Sequence, residues 1–95
     1  MKKPAVYIIT NKKDGVLYTG ITTNLIARIS QHKTALSGFS SKYHCNKLVY
    51  CEFHDSIEDA VKREKQVKAG SRLNKIKLIE SMNPNWDDLF EIINQ

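Results

Sequence analysis

The chain has 95 residues, of which 41% are hydrophobic, and it carries a formal net charge of +5 with a pI of about 9.3. This length suits one small domain over residues 1–95 with no room for a second, and the apolar content is too high for a disordered chain. No apolar run approaches the roughly 20 residues of a membrane span, and the first run is cut at Thr10-Asn11-Lys12, too early for a secretory leader. We therefore expect a cytoplasmic protein with no membrane partner.

The excess of basic residues gives information about the binding partner of the chain and not about its fold. A small basic domain favours a polyanionic partner, and nucleic acid is the commonest one. The other interpretation is that the lysines only keep a small protein in solution. Charge by itself leaves both interpretations open.

The first predicted element is a β-hairpin. Residues 5–10 read A-V-Y-I-I-T, residues 16–20 read V-L-Y-T-G, and the Asp14-Gly15 pair between them is a strong hairpin signal. Each run carries one tyrosine, Tyr7 and Tyr18. Because side chains alternate along a strand, an even loop puts both tyrosines on one face and an odd loop separates them. The Asp-Gly pair favours a two-residue loop, so we predict two phenols side by side.

A helix is predicted after the hairpin. Residues 22–24 offer side-chain oxygens as a cap, residues 25, 26, 29 and 36 are apolar at helical spacing, and Ser37-Gly38 ends the helix. Arg28 and His32 are four residues apart and therefore share a face. They form either a solvated polar surface or a phosphate-binding guanidinium and a proton-relaying imidazole above the tyrosines.

Residues 38–46 are predicted as a basic loop that contains Lys42, and residues 47–53 as a third strand. Apolar residues on both faces of that strand favour a central position in the sheet. Cys51 lies in this strand and Cys45 lies just before it, with two histidines close by, but their spacing matches no zinc pattern. We therefore predict two reduced thiols.

A second helix is predicted from the Ser56 cap to Ala69-Gly70. The residues expected to face inward are Ile57, Ala60, Val61 and Val67. Glu64 falls on or beside this stripe, where a carboxylate is costly unless it is paired or binds a metal. The interpretations that stay open are metal binding and an ion pair to Arg63, to Lys68 or to an arginine across the sheet.

Ser71 caps a third helix, whose inward residues are predicted to be Leu73, Ile76 and either Leu78 or Ile79. A turn follows at Asn83-Pro84-Asn85-Trp86, and then a short helical turn over residues 87–93. The order strand, strand, helix, strand, helix, helix predicts an α+β fold with a small three-stranded sheet flanked by helices.

These motifs together resemble the GIY-YIG endonuclease superfamily, and in particular its stand-alone, single-domain bacterial members. The two halves of the signature read Ala5-Val6-Tyr7 and Tyr18-Thr19-Gly20, where Ala5 replaces the family's first glycine and Thr19 its isoleucine. The Arg28 and His32 spacing, the segment around Glu64 and the Asn-Pro-x-Trp run also match. Each motif is weak alone, and the conjunction over residues 4–83 is what makes the resemblance specific.

The resemblance implies a metal-dependent endonuclease that hydrolyses phosphodiester bonds in DNA, in repair or recombination. It implies Glu64 as the single protein ligand of Mg²⁺ or Mn²⁺, an ion that takes the rest of its shell from water and substrate phosphate. The residues it implies as catalytic are Tyr7, Tyr18, Arg28, His32 and Glu64. Those expected to contact nucleic acid are Gly20, Arg28, Lys42 and Asn74.

Tyr7 would orient or deprotonate the attacking water, with Tyr18 and His32 completing the proton path. A free phenol has a pKa of about 10 and is a poor base at neutral pH, so Arg28 and the metal would have to lower the pKa of Tyr7. Two other interpretations stay open. In one, the domain is a binding module without catalysis; in the other, Tyr7, Tyr18 and Glu64 are ordinary core residues.

Overall fold

The computed structural model describes residues 3–34 and 45–94, which form three strands and four helices. The strands are β1 (Ala5–Thr10), β2 (Leu17–Thr22) and β3 (Lys47–Phe53). The helices are α1 (Leu25–Thr34), α2 (Ile57–Ala69), α3 (Arg72–Met82) and α4 (Phe90–Ile93). The α+β fold is confirmed. None of the helices within these two described ranges has the length and apolar character needed to cross a bilayer.

The sheet is antiparallel with the strand order β2–β1–β3, so β1 is the central strand. The prediction of a central β3 is therefore wrong. β3 is an edge strand whose two faces are both covered by helices, with Leu48 and Cys51 in one core cluster and Val49 and Tyr50 in the other. Burial on both faces reflects the layers above and below a strand, which do not determine its neighbours in the sheet.

The hairpin places the two tyrosines on one face, as predicted. Tyr7 pairs with Gly20 and Ile9 pairs with Tyr18, so Tyr7 and Tyr18 share the parity of β1 residues 7 and 9. The loop itself was predicted wrongly, since residues 11–16 separate the last pair of the ladder. This longer loop is closed by the Asn11 side chain, whose Oδ1 accepts from the Val16 N–H at 3.0 Å. The two tyrosines still share a face because this loop also has an even number of residues.

Two apolar clusters lie on opposite faces of the sheet. The first packs beneath α1 and α4 and includes Tyr7, Ile9 and Ile29, with Phe90 against it. The second packs beneath α2 and α3; its members are Val6, Ile8, Val49, Tyr50, Ala60, Val67, Ile79 and Trp86. The sheet therefore has helices on both sides, and α2 packs mainly along the edge strand β2.

The inward stripes of α2 and α3 are narrower than predicted. Ala60, Val67 and Ile79 are buried, but Ile57 and Val61 are 43% and 36% exposed and Leu73 is 59% exposed. Because α2 lies along the edge of the sheet, only part of its apolar face meets the strands. The inward assignments of Ile57, Val61 and, on α3, Leu73 are wrong.

The Asn-Pro-x-Trp run forms a buried corner between α3 and α4. The Asn83 amide donates to the carbonyls of Val49 and Asp87, and its oxygen accepts from the Asp87 N–H. Trp86 is fully buried with φ of 58°, and its indole N–H donates to Glu80 at 2.8 Å. This run is therefore a structural element that seats the end of the chain on β3.

A second polar junction ties α1 to α4 and β3. Lys33 at the end of α1 binds Asp88 at 2.6 Å, and Asp88 accepts from the backbone N–H groups of Leu48 and Phe90. Since α1 also carries Arg28 and His32, this junction fixes the position of both.

Thr19 can be used to measure the energetic cost of burying a hydroxyl group without a hydrogen-bond partner. It is 5% exposed, and its hydroxyl has no hydrogen-bond partner within the described parts of the chain. We expect Thr19→Val to raise the free energy of unfolding by about 1 kcal/mol, because a buried unpaired hydroxyl is replaced by a methyl group. Urea denaturation followed by circular dichroism measures the change.

The control is Thr10→Val, the same replacement at a buried hydroxyl that donates to the Lys12 carbonyl at 2.8 Å. This variant should lose about 1 kcal/mol, because the hydrogen bond is lost with the hydroxyl. A shift of both variants in the same direction would contradict the assignment.

Candidate active site

The site is built around the contact between Tyr7 and Gly20. Tyr7 stands on the central strand, fully buried, and Gly20 is its partner on the edge strand β2. A Cβ atom at Gly20 would lie 2.4 Å from Tyr7 Oη and 2.5 Å from Cζ. The phenol therefore lies directly over the glycine, in space that any side chain would fill. Tyr7 therefore makes the close approach to Gly20, and direct contact of Gly20 with nucleic acid stays a prediction.

Tyr7, Tyr18 and His32 form a cluster of three rings. The ring centroids are 6.4 Å apart for Tyr7 and Tyr18, 5.7 Å for Tyr7 and His32, and 5.5 Å for Tyr18 and His32. The Tyr7 hydroxyl is hydrogen-bonded to His32 Nε2 at 2.9 Å. The helix α1 thus projects His32 over the hairpin, as the functional interpretation of the sequence expected.

Arg28 and Glu64 act on the same phenol from two different helices. Arg28 on α1 lowers the pKa of Tyr7, whereas Glu64 on α2 raises it. Burial is the largest influence, followed by Tyr18, and both raise the pKa, so that it reaches about 12. The expectation that Arg28 lowers the pKa of Tyr7 is correct in direction, but burial outweighs it. In the protein alone, Tyr7 is a hydrogen-bond donor at neutral pH.

His32 is suited to receive that hydrogen bond. Burial and the neighbouring Arg28 charge lower the pKa of His32 below 6.5, so the imidazole is neutral at pH 7. In the neutral tautomer that carries its proton on Nδ1, Nε2 accepts the hydrogen bond from the Tyr7 O–H. Tyr7 and His32 therefore form a donor–acceptor pair along which a proton can move.

Glu64 is paired with Lys68, one of the partners that the sequence left open. Lys68 Nζ lies 2.8 Å from Glu64 Oε2, and the side chains are 55% and 12% exposed respectively. The hydrogen bond to Glu64 raises the pKa of Lys68, and Tyr18 adds to this increase. Lys68 is thus a site residue that was not predicted as one, although its i,i+4 spacing from Glu64 was visible in the sequence.

Arg63 is turned away from Glu64 and binds Glu52 on β3. Its Nε lies 3.1 Å from both carboxylate oxygens of Glu52, which also accept from Tyr50 and bind His54, each at 2.6 Å. Burial raises the pKa of the Glu52 carboxyl, but the hydrogen bonds from Tyr50, Arg63 and His54 outweigh it and lower the pKa. This network fastens α2 to the sheet one residue before Glu64.

Other predicted residues lie apart from this group or beyond the described ranges. Lys42 falls outside the residues that the structure describes. Asn74 is in the first turn of α3 and lines a groove between α2 and α3 with Gly70 and Lys75, so its contact with nucleic acid stays a prediction. Arg72 donates to the carbonyls of Asp14 and Gly15 and holds the hairpin loop.

The donor set fits a lightly coordinated hard cation. Within residues 3–34 and 45–94, no group of three or more His, Cys, Asp or Glu side chains could hold a metal. Cys45 and Cys51 are buried, free thiols in the core. A Mg²⁺ ion can bind through one carboxylate with water and phosphate for the rest of its shell, and Glu64 lies within electrostatic reach of Tyr7.

Comparison with known proteins gives consistent matches over most of the chain. A model of the GIY-YIG catalytic domain matches residues 3–77. The chain is 43% identical to UPF0213 protein SH2523 of Staphylococcus haemolyticus, covering 84% of this chain and 98% of the relative. It is 38% identical to UPF0213 protein CPE1444 of Clostridium perfringens, covering 94% and 96%.

The fold is also similar to a solved structure. The solution NMR structure of UPF0213 protein BH0048 from Bacillus halodurans matches with a TM-score of 0.57 and 28% identity. The match covers 95% of this chain and 96% of that one.

The Tyr7–Gly20 contact can be tested by adding one methyl group. We expect Gly20→Ala to displace the phenol, break the hydrogen bond to His32 and lower the free energy of unfolding by about 1–3 kcal/mol through overpacking. Urea denaturation gives the stability, and NMR of the His32 ring reports the hydrogen bond.

Gly70→Ala is the matched control, because the added Cβ would lie 3.3 Å from the nearest atom, the Val67 carbonyl oxygen, and φ at Gly70 is −70°. It should cost less and leave the His32 signals in place. Equal costs for the two variants, with His32 unchanged in both, would show that Gly20 has no special role.

Proposed function

The chain belongs to the GIY-YIG family of nucleases, and we propose that it is a metal-dependent endonuclease. In this proposal it hydrolyses phosphodiester bonds in DNA. Family membership implies a nucleic-acid substrate, which the net charge of +5 suits. Cleavage, the metal and the choice of DNA, with a role in repair or recombination, are the proposal. The observation that carries it is the convergence of His32, Arg28 and Glu64 on the Tyr7 phenol.

Glu64 is the residue proposed to hold Mg²⁺ or Mn²⁺. Its carboxylate is mostly buried yet lies beside the open, half-exposed Lys68, so it is reachable from solvent on that side. When bound, the ion would polarise the scissile phosphate and stabilise the leaving oxygen. The remaining ligands would be water and substrate phosphate, as Mg²⁺ prefers.

Arg28 is proposed to bind the phosphate. It is exposed on α1, and a guanidinium presents planar N–H donors that match the geometry of phosphate oxygens. Two parallel hydrogen bonds to phosphate oxygens would neutralise the charge that develops as the phosphorus becomes pentavalent.

Tyr7 and His32 are proposed to move the proton. With a pKa of about 12, Tyr7 is not a standing phenolate. As water attacks phosphorus, the Tyr7 oxygen accepts a water proton while its own proton passes to the neutral His32 Nε2, which is already in hydrogen-bond contact at 2.9 Å. Tyr18 packs against both rings and holds them in register.

The Glu64–Lys68 pair favours a second candidate function, a module that binds nucleic acid without cutting it. A carboxylate that is already paired need not bind a metal, and such a pair was expected if Glu64 is a structural residue. Ala5 and Thr19, which depart from the family signature, point the same way. Salt-dependent binding without cleavage in any divalent metal would favour this candidate.

A cleavage assay separates the two functions. Purified protein is incubated with branched, nicked and linear DNA in the presence of Mg²⁺ or Mn²⁺. We expect Glu64→Gln and Tyr7→Phe to lower the cleavage rate by about 100-fold or more, because each removes a metal or proton-transfer group. Glu58→Gln, an exposed carboxylate on the same helix, is the control and should cut like the parent. If Glu64→Gln and Tyr7→Phe cut DNA as fast as the parent, Glu64 and Tyr7 do not have the proposed catalytic roles.

The pH dependence of cleavage tests His32. Its pKa is lowered below 6.5, so the accepting neutral form is present at pH 7 and is lost as the pH falls through the lowered pKa. The acid limb of the rate profile should therefore have its midpoint below pH 6.5. His32→Tyr, which replaces the imidazole with a phenol whose ordinary pKa is about 10, should lose that limb. A limb that persists in this variant would assign the titration to another group.

A further inference from the structure

Lys68 is a charged residue that the proposed reaction does not use. It follows Glu64 by one helical turn on α2, and its ammonium lies 2.8 Å from the carboxylate. Within the described residues, it is the cation that is ion-paired with Glu64. Tyr18 is also close enough to interact electrostatically with Lys68. Lys68 therefore sits at the rim of the ring cluster, beside the carboxylate that the proposed function assigns to the metal.

We propose that Lys68 is a displaceable counter-ion, which neutralises Glu64 when the site is free of metal and must leave the carboxylate when a divalent cation binds. This inference rests on the proposed role of Glu64 as the metal ligand. It adds that Lys68 sets the metal affinity of the site by competing for the same oxygen.

Burial of Glu64 explains why a counter-ion is present. The side chain is 12% exposed and lies within electrostatic reach of Tyr7. A carboxylate held in such surroundings without a positive partner is costly. The Lys68 ammonium removes that cost in the absence of metal, and a divalent cation at the same oxygen would remove it in turn. An ammonium carries no lone pair, so it cannot join the metal's shell and can only compete.

The exposure of Lys68 explains why the counter-ion can leave. Its side chain is 55% exposed, and a lysine has a flexible stem and a strongly hydrated head group. The neighbouring Arg63 is different, because both oxygens of Glu52 hold its Nε and fix it to β3. Lys33 is likewise held by Asp88. Within residues 3–34 and 45–94, Lys68 is thus ion-paired with one carboxylate oxygen on the solvent side, an arrangement in which a cation from solution can take its place.

Direct binding of Mn²⁺ tests the inference without nucleic acid or cleavage. The free Mn²⁺ signal in electron paramagnetic resonance decreases as the ion binds, so a titration gives the dissociation constant. We expect Lys68→Met to bind Mn²⁺ about fivefold more tightly than the parent, which corresponds to the loss of one modest ion pair. Lys68→Arg, which keeps the positive charge, should bind no more tightly than the parent.

Lys65→Met is the matched control, because it removes the same charge from an exposed position on the same helix. Its affinity should stay within about twofold of the parent, since an exposed charge at a distance is screened by salt. Glu64→Gln should lose the bound ion. Urea denaturation of each variant confirms that it is folded.

The outcomes separate this inference from the proposed function. If Lys68→Met binds Mn²⁺ no more tightly than Lys65→Met while Glu64→Gln loses the ion, the counter-ion role is overturned and the metal site stands. Weaker binding by Lys68→Met overturns it as well. If no variant binds Mn²⁺, or Glu64→Gln binds it like the parent, both the counter-ion role and the metal assignment fall.

Discussion

The seating of the Tyr7 ring on Gly20 is the contact on which the rest of the site depends. Tyr7 stands on the central strand, whereas His32 and Glu64 are supplied by helices on different sides of the sheet. A side chain at position 20 would fill the space that the phenol occupies, and the hydroxyl could no longer reach over the edge strand. Glycine is thus required at position 20 for packing. Its absence of a side chain lets the Tyr7 hydroxyl meet groups from separate helices.

Two polar junctions outside the ring cluster keep its charged members in place. The Glu52–Arg63 network fastens α2 to β3 next to Glu64, and the Lys33–Asp88 pair fastens α1 to α4 and β3 next to His32. Both junctions are only partly exposed and use carboxylates with several hydrogen bonds, which makes each geometry well defined. Both helices that carry the proposed chemistry are therefore anchored to the same edge strand, β3.

Much of this arrangement could be predicted from the sequence, and the failures have physical causes. The shared face of Tyr7 and Tyr18 follows from strand parity, which any even loop preserves, whereas the loop length depends on side-chain hydrogen bonds that local sequence signals do not report. The position of β3 depends on which strand pairs with which, and burial patterns do not carry that information. The choice between Lys68 and Arg63 as the partner of Glu64 was decided by a carboxylate on β3, which a reading of α2 alone cannot include.

Trp86 has a further consequence for the study of this protein. It is the single tryptophan of the chain, wholly buried in the cluster beneath α2 and α3, on the opposite face of the sheet from the ring cluster. Its fluorescence therefore reports melting of the core beneath α2 and α3, and the sheet separates it from the Tyr7 and Tyr18 rings. The intrinsic fluorescent probe of folding and the cluster of Tyr7, Tyr18 and His32 therefore lie on opposite faces of the three-stranded sheet.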